Sequence, residues 1–218
     1  MVFSVRFRTS RYFMKITTIK AQIKTENRVS VFVEGKYSFS LTLDQLLTEK
    51  LKKGLELDES EILRLKKLSD EGKLKARTLE WLLGRPHSTK EFRDYLYRKQ
   101  AEKELIEAWV VHFTDKKYLD DEAFARWFAE TRRRKNKSSR AITSELYSKG
   151  INSVTIKSIV TELENDGDDS EKSEKEALRT LVNKLRDRPR YQDEQKFKSY
   201  LISKGFSYSD IKEVLELL

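Results

Sequence analysis

The chain has 218 residues, of which 38% are hydrophobic and 37% charged, with 7 Gly, 2 Pro and a formal net charge of +9. That apolar fraction is low for one large core and suits several small helical units with solvated faces, and the scarcity of Gly and Pro disfavours a turn-rich β fold. With 0 Cys there is no disulfide framework, thiol nucleophile or cysteine metal site, while the positive charge draws the chain to polyanions or to acidic surfaces.

Residues 1–13 are basic and partly aromatic and stop just before a second methionine, Met14. They read as an upstream extension; the alternative is a strand in which Phe3, Val5 and Phe7 alternate. Arg6, Arg8 and Arg11 interrupt the early apolar residues, so no secretory signal is read. No apolar run approaches the roughly 18 residues that span a membrane. A soluble, cytoplasmic, monomeric protein is expected.

Residues 14–71 read as a β-hairpin region followed by helices. Ile19, Ala21 and Ile23 alternate, as do Val29, Val31 and Val33, then Tyr37, Phe39 and Leu41. Parity decides the hairpin register. A two-residue loop at Glu34-Gly35 would set Val31 opposite Ser38 and mix the faces. A three-residue loop, Val33-Glu34-Gly35, sets Val31 opposite Tyr37 and Val29 opposite Phe39, and is expected. So small a sheet needs helices packed on it. Thr42-x-x-Gln45 is a capping-box start with Gly54 as the stop, and Asp58-x-x-Glu61 starts a helix carrying Ile62, Leu65 and Leu68.

From residue 72 the pattern repeats. Leu96-Tyr97-Arg98-Lys99, Leu146-Tyr147-Ser148-Lys149-Gly150 and Leu201-Ile202-Ser203-Lys204-Gly205 correspond, at offsets of 50 and 55 residues. Phe92, Ile142 and Phe197 fall in one column, and Ile106, Ile156 and Ile211 in another. Trp109, Ile159 and Val214 form the next, followed by Val110, Val160 and Leu215 and by Phe113, Leu163 and Leu218. Such a period means one supersecondary unit stacked repeatedly. Each unit reads as three helices. Repeat 1 (72–115) has Leu74–Leu83, Ser88–Gln100 and Glu102–Phe113. Repeat 2 (116–165) has Asp121–Lys135, Ser138–Lys149 and Ser153–Leu163. Repeat 3 (174–218) has Glu174–Leu185, Gln192–Lys204 and Tyr208–Leu218. Ser88-x-x-Glu91 is a capping box, Asn152 and Ser207 are N-caps, and Gly150 and Gly205 follow helix ends. Residues 166–173 belong to a hydrophilic acidic stretch without apolar period and read as a linker. The fold class is mainly all-α: three tandem three-helix repeats in an elongated array, preceded by a small antiparallel β-sheet and helices.

Catalysis finds little support. His87 and His112 lie on different elements, each in a structural setting, and neither a phosphate-cradling loop nor metal-ligand spacing occurs. No metal and no cofactor are expected. Asp120-Asp121 at a helix start suits the dipole. The run Arg132-Arg133-Arg134-Lys135-Asn136-Lys137-Ser138-Ser139-Arg140 has six basic residues in nine and no acid. Six exceed what helix capping needs. Arg132, Arg133, Arg134, Lys135, Lys137 and Arg140 are therefore candidates for partner or DNA binding. At a helix end and its turn, few of them are expected to contribute packing. Tyr95, Tyr97, Trp109, Tyr118, Phe124, Trp127 and Phe128 cluster in repeats 1 and 2, mostly as core, with any exposed Tyr or Trp a potential anchor.

These residues resemble one family. Arg85-x-x-Ser88-x-x-Glu91-Phe92-x-x-x-Leu96 is similar to the first-repeat signature of RecX proteins. Tyr118-Leu119-Asp120-Asp121-Glu122-Ala123-Phe124-Ala125-Arg126 resembles that family's most distinctive motif. Glu145-Leu146-x-x-Lys149-Gly150-Ile151 and Leu201-x-x-Lys204-Gly205-Phe206 resemble the ends of its second helices. Phe92 replaces the usual Leu, and Gln100 stands where repeats 2 and 3 carry Gly, so a different helix exit is expected in repeat 1. The resemblance implies a non-enzymatic regulator that binds the RecA–DNA filament, by which recombinase activity in DNA repair and recombination is modulated, mostly by inhibition. The competing reading is a direct binder of single- or double-stranded DNA built from helix-turn-helix-like units.

Overall fold

A computed structural model describes residues 12–23, 27–165 and 174–217. The 1–11 part of the expected extension and the linker at 166–173 lie outside these residues. The chain forms two compact units, residues 1–81 and 82–218.

The first unit holds β1 (Met14–Ala21), β2 (Arg28–Val33), β3 (Lys36–Thr42), α1 (Leu43–Thr48), β4 (Glu56–Leu57) and most of α2 (Glu59–Gly84). The strands form one antiparallel sheet in the order β3-β2-β1-β4. Its core joins Ile16, Val31, Val33, Phe39 and Leu41 to Ile62 and Leu65 of α2. Sheet and helix are also tied by the Ser40 amide, which donates to Ser69 Oγ at 3.1 Å.

The three-residue hairpin loop does not form. Val33 pairs with Lys36 across a two-residue turn, with Glu34 at φ 49° and Gly35 at φ 77°. Two positive φ values match the right-handed twist of the strands better than a wider loop. The parity conflict is removed by a bulge instead. Phe32 pairs with Tyr37 and Val31 with Phe39, leaving Ser38 unpaired. That extra residue sets Val29 opposite Leu41, so the buried side chains stay on one face.

Two helix borders also differ from expectation. The Thr42/Gln45 capping box is present in both arms, but α1 leaves at Glu49 and Lys50, where Lys50 takes φ 51°. Gly54, at φ 89°, instead turns the chain toward β4 and donates its N–H to the Ile16 carbonyl at 2.8 Å. Asp58 and Glu61 cap each other reciprocally, and the helix they start runs on through Leu83. Leu74–Leu83, expected as a separate helix, is thus the end of α2. No proline interrupts residues 59–84, and Ser69 bonds to the sheet rather than capping a new start.

The second unit contains α3 (Thr89–Arg98), α4 (Lys103–Asp115), α5 (Asp121–Arg134), α6 (Ser139–Ser148), α7 (Ser153–Asn165), α8 (Glu174–Leu185), α9 (Glu194–Ser203) and α10 (Tyr208–Glu216). Repeats 2 and 3 each surround their own core. The apolar columns occupy like environments: Ile106, Ile156 and Ile211 are buried, as are Leu96, Leu146 and Leu201, and Phe92, Ile142 and Phe197. Phe92 fills repeat 1 by meeting Phe113 edge-on at 5.6 Å. The expected caps Asn152 and Ser207 accept from the Thr155 and Asp210 amides. The α8–α9 connection, residues 186–193, is longer than α5–α6, residues 135–138, and includes a 3-10 turn at Pro189–Tyr191. It contributes to the longer second offset.

Gln100 does not change the exit from α3. It adopts φ 59°, and the Ala101 amide reaches back to the Leu96 carbonyl at 3.1 Å, as Ile151 does to Leu146 at 3.2 Å. Gln100 is solvent-exposed, whereas a Cβ at Gly150 or Gly205 would press on a neighbouring repeat. Glycine is needed in repeats 2 and 3 for space as much as for φ.

Candidate interaction surface

The repeats are joined by one recurring device. The C-terminus of a second helix meets the N-terminus of the second helix before it. At the first seam, Ser88 Oγ donates to the Lys149 carbonyl at 2.8 Å and Lys90 Nζ to the Ser148 carbonyl at 2.8 Å. At the second, the Ser138 amide donates to the Lys204 carbonyl at 3.0 Å, Lys137 Nζ to Ser203 at 2.8 Å, and Lys204 Nζ to Lys135 at 2.9 Å. Carbonyls orphaned at a helix end, and carrying its negative dipole, are satisfied by cations and by the positive start of another helix.

The seams differ at one column. Ser88 accepts from the Glu91 amide as a cap, but the Glu91 carboxylate is turned away from the expected capping box. Its Oε1 accepts from Lys149 Nζ at 2.7 Å, and its Oε2 from Arg85 at 3.0 Å, with the buried His87 Nδ1 at 3.2 Å. Burial alone pushes this carboxyl up, but the hydrogen bonds and charges of Lys149 and Arg85 outweigh it and hold the pKa at about 2. Arg85 also lies over the Trp127 ring at 5.3 Å, and the Thr89 amide donates to Asp121 Oδ1 at 2.7 Å. Asp121 therefore does more than complement a dipole: it ties repeat 2 to repeat 1, while Asp120 caps α5. In repeat 2 the position of Glu91 is held by Ala141, so the second seam relies on carbonyl acceptors. His87 is part of the first seam, while His112 is exposed with its ring against Phe113 at 5.2 Å.

The basic run closes α5 and turns into α6, and the structure divides it. Arg132 stacks on Phe128 at 4.6 Å, and its Nε sits 2.6 Å from Glu145 Oε2 as a charge pair rather than an aligned hydrogen bond. Arg133 donates to the Leu163 carbonyl of α7. Lys137 bridges to repeat 3 and lies 3.8 Å from Glu145. These three hold the fold, contrary to the expectation that few would contribute packing; helix-end carbonyls and Glu145 lie within reach of their long stems. Arg134, Lys135 and Arg140 face solvent, Arg134 with Glu130 at 3.9 Å. The aromatics divide too. Phe124 and Phe128 are core, whereas Tyr97 and Tyr147 are 48% and 53% exposed in the same repeat column as Ile202, 49% exposed.

In the sequence Glu91 and Lys204 stand out as motif and repeat positions, Glu91 also as half of a capping box, but nothing there marks either as a joint between repeats. The signal that could have marked the seams was the Lys-Gly pair after α6 and α9, absent after α3. Such an arrangement defines a tandem helical-repeat protein whose side chains are deployed at joints and on an outer surface. Among the described residues, no helix is long and apolar enough to cross a membrane.

Comparison with known proteins supports a specific assignment. The regulatory protein RecX N-terminal domain matches residues 14–58, and the second and third three-helix domains of RecX match residues 120–158 and 173–215. Regulatory protein RecX of Bacillus pumilus is 33% identical, over 92% of this chain and 76% of its own length. That of Bacillus subtilis is 31% identical over the same shares. A crystal structure of regulatory protein RecX superposes with a TM-score of 0.63 at 26% identity, covering 93% of this chain and 99% of that one. This chain belongs to the RecX family of regulatory proteins.

Proposed function

We propose that this protein is a non-enzymatic regulator that binds the RecA–DNA filament and restrains recombinase activity, acting as a cytoplasmic monomer. The observation that carries the reading is the repeat register itself. Equivalent corners and columns recur along one chain, which suits a partner that also repeats. Several weak contacts made together gain from effective concentration, so a repeat chain can hold a filament far more tightly than a free subunit. By linkage, binding one filament state better than another shifts the filament by that differential affinity alone. Arg134, Lys135 and Arg140 supply outward charge from repeat 2, while Arg132, Arg133 and Lys137 keep the turn in place.

The test compares affinity for recombinase filaments on single-stranded DNA, for free recombinase and for bare DNA. Recombinase ATPase and strand exchange are followed as this protein is added. Filament binding is expected to be tightest, with activity falling at substoichiometric amounts. Equal affinity for filament and bare DNA would refute the reading.

A further inference from the structure

One exposed position carries a large apolar side chain in every unit. Tyr97, Tyr147 and Ile202 share the column that directly follows the fully buried Leu96, Leu146 and Leu201. Elsewhere in the repeats such exposure is scattered. The columns of Leu83, Val111, Val154 and Tyr208 hold Arg133, Thr161, Ser209 and Ser153 in another unit. Single exposed apolar side chains are ordinary on a protein surface, but recurrence at one position of each unit is not scatter. Among the described residues, neither Tyr97 nor Tyr147 makes a ring contact or a side-chain hydrogen bond, so nothing within the chain accounts for the two rings.

The seams set the spacing of this column. Tyr147 precedes Ser148, whose carbonyl holds Lys90 at the start of α3, and Ile202 precedes Ser203, whose carbonyl holds Lys137 at the turn into α6. From each joint one helix of 10 residues leads to the next anchor, α3 to Tyr97 and α6 to Tyr147. Each step is therefore about 15 Å. The surroundings recur as well. Arg98 and Lys99 stand beside Tyr97, Lys90 beside Tyr147 and Lys137 beside Ile202. One turn earlier on the same face lie Asp94, Ser144 and Ser199, so the rim of the column is net positive.

This chemistry selects protein as the partner. Protein–protein interfaces centre on a few apolar and aromatic anchors, tyrosine prominent among them, inside a polar rim. A cationic rim is matched by an acidic one. Like anchors at like intervals fit a partner that presents the same pocket again and again. We infer that Tyr97, Tyr147 and Ile202 dock into equivalent, acid-rimmed apolar pockets on successive protein subunits of the recombinase filament, one anchor from each three-helix unit. The inference rests on the filament reading above and adds to it the surface that meets protein rather than DNA.

The experiment measures affinity for recombinase filaments on single-stranded DNA and for the same DNA bare, comparing the intact chain with Tyr97→Ala, Tyr147→Ala and Ile202→Ala, singly and together. Each single change is expected to weaken filament binding about tenfold, and the triple change by more than any one of them, while affinity for bare DNA stays within about twofold. A control carries Val111→Ala and Val154→Ala, which trim exposed apolar side chains outside the column and are expected to alter neither affinity. Urea denaturation checks the fold of each. If the triple variant misfolds, Tyr147→Gln alone, with the same loss of about tenfold expected, decides the matter. Filament affinity unchanged in the triple variant, a loss confined to one unit, or an equal loss in the control would overturn the column while leaving the filament reading in place. So would a matching loss on bare DNA, which would mark the side chains as stacking on bases. An intact chain that binds filament no better than bare DNA would instead refute the filament reading, and the column with it.

Discussion

Gly205→Ala tests whether the second seam is as close as its geometry implies. Gly205 has φ 98°, and an added Cβ would stand 2.4 Å from Ala141 Cβ and 2.6 Å from Ser138 Oγ. Adopting a left-handed backbone costs an L-residue about 1–2 kcal/mol. Overpacking adds about 1–3 kcal/mol, and the obstacle is a short side chain on a helix rather than a movable tip. Together these give about 2–5 kcal/mol against the joint between repeats 2 and 3. The sensitive readout is hydrogen exchange at the Ser138 amide, whose acceptor is the Lys204 carbonyl across the seam. Its protection is expected to fall sharply, alongside a lower urea midpoint. Ala141→Gly removes the nearest obstacle and is expected to restore part of the loss when combined with Gly205→Ala, despite a helix cost of about 1 kcal/mol on its own. Gly150→Ala is expected to cost less, because its nearest contact, Lys90 Cβ, stands 2.9 Å away against 2.4 Å at Gly205, and the next two lie at 3.2 and 3.6 Å. A change within about 0.5 kcal/mol for Gly205→Ala, or no coupling with Ala141→Gly, would refute a close seam.

Other expectations follow from the same geometry. The Glu91 carboxyl is depressed to about 2 from an ordinary value of 4.5, so its contribution is complete above about pH 5 and lost as pH falls through 4.5 toward 2. Allowing for solvent screening of the partly exposed Arg85 and Lys149, that contribution is about 1–2 kcal/mol; acid titration of stability in wild type against Glu91→Gln should show the difference vanish at low pH. Replacing Arg134, Lys135 and Arg140 with Gln is expected to leave stability within about 0.5 kcal/mol each while weakening filament binding, whereas replacing Arg132 and Lys137 should lower the urea midpoint. Phe92→Ala, at the centre of repeat 1, is expected to destabilise by about 3–5 kcal/mol, read by thermal or urea denaturation; a loss under 1 kcal/mol would contradict its packing on Phe113.

Much of this protein follows from local pattern. Helix periodicity, cap residues and the repeated columns act over a few residues, so the borders of α5 to α10 and the buried faces are legible in the sequence, as is the charge of the 132–140 run. Features that depend on what a side chain meets far along the chain are not. The hairpin register turned on whether a bulge at Ser38 or a wider loop resolves the same parity conflict, a choice made by strand twist and the core beneath. Glu91 reads as half of a capping box, and only Lys149, brought alongside by repeat stacking, draws its carboxylate away. The same stacking decides which cations are available. Arg132, Arg133 and Lys137 are held by groups 13 to 66 residues distant, leaving Arg134, Lys135 and Arg140 facing water. Sequence alone determines that this chain is a basic array of three-helix units, because helix formation and apolar period are local. Tertiary structure decides which charges become joints and which remain surface, because a lysine or arginine stem can reach either a neighbouring carbonyl or solvent, and only the packed repeats supply the carbonyl.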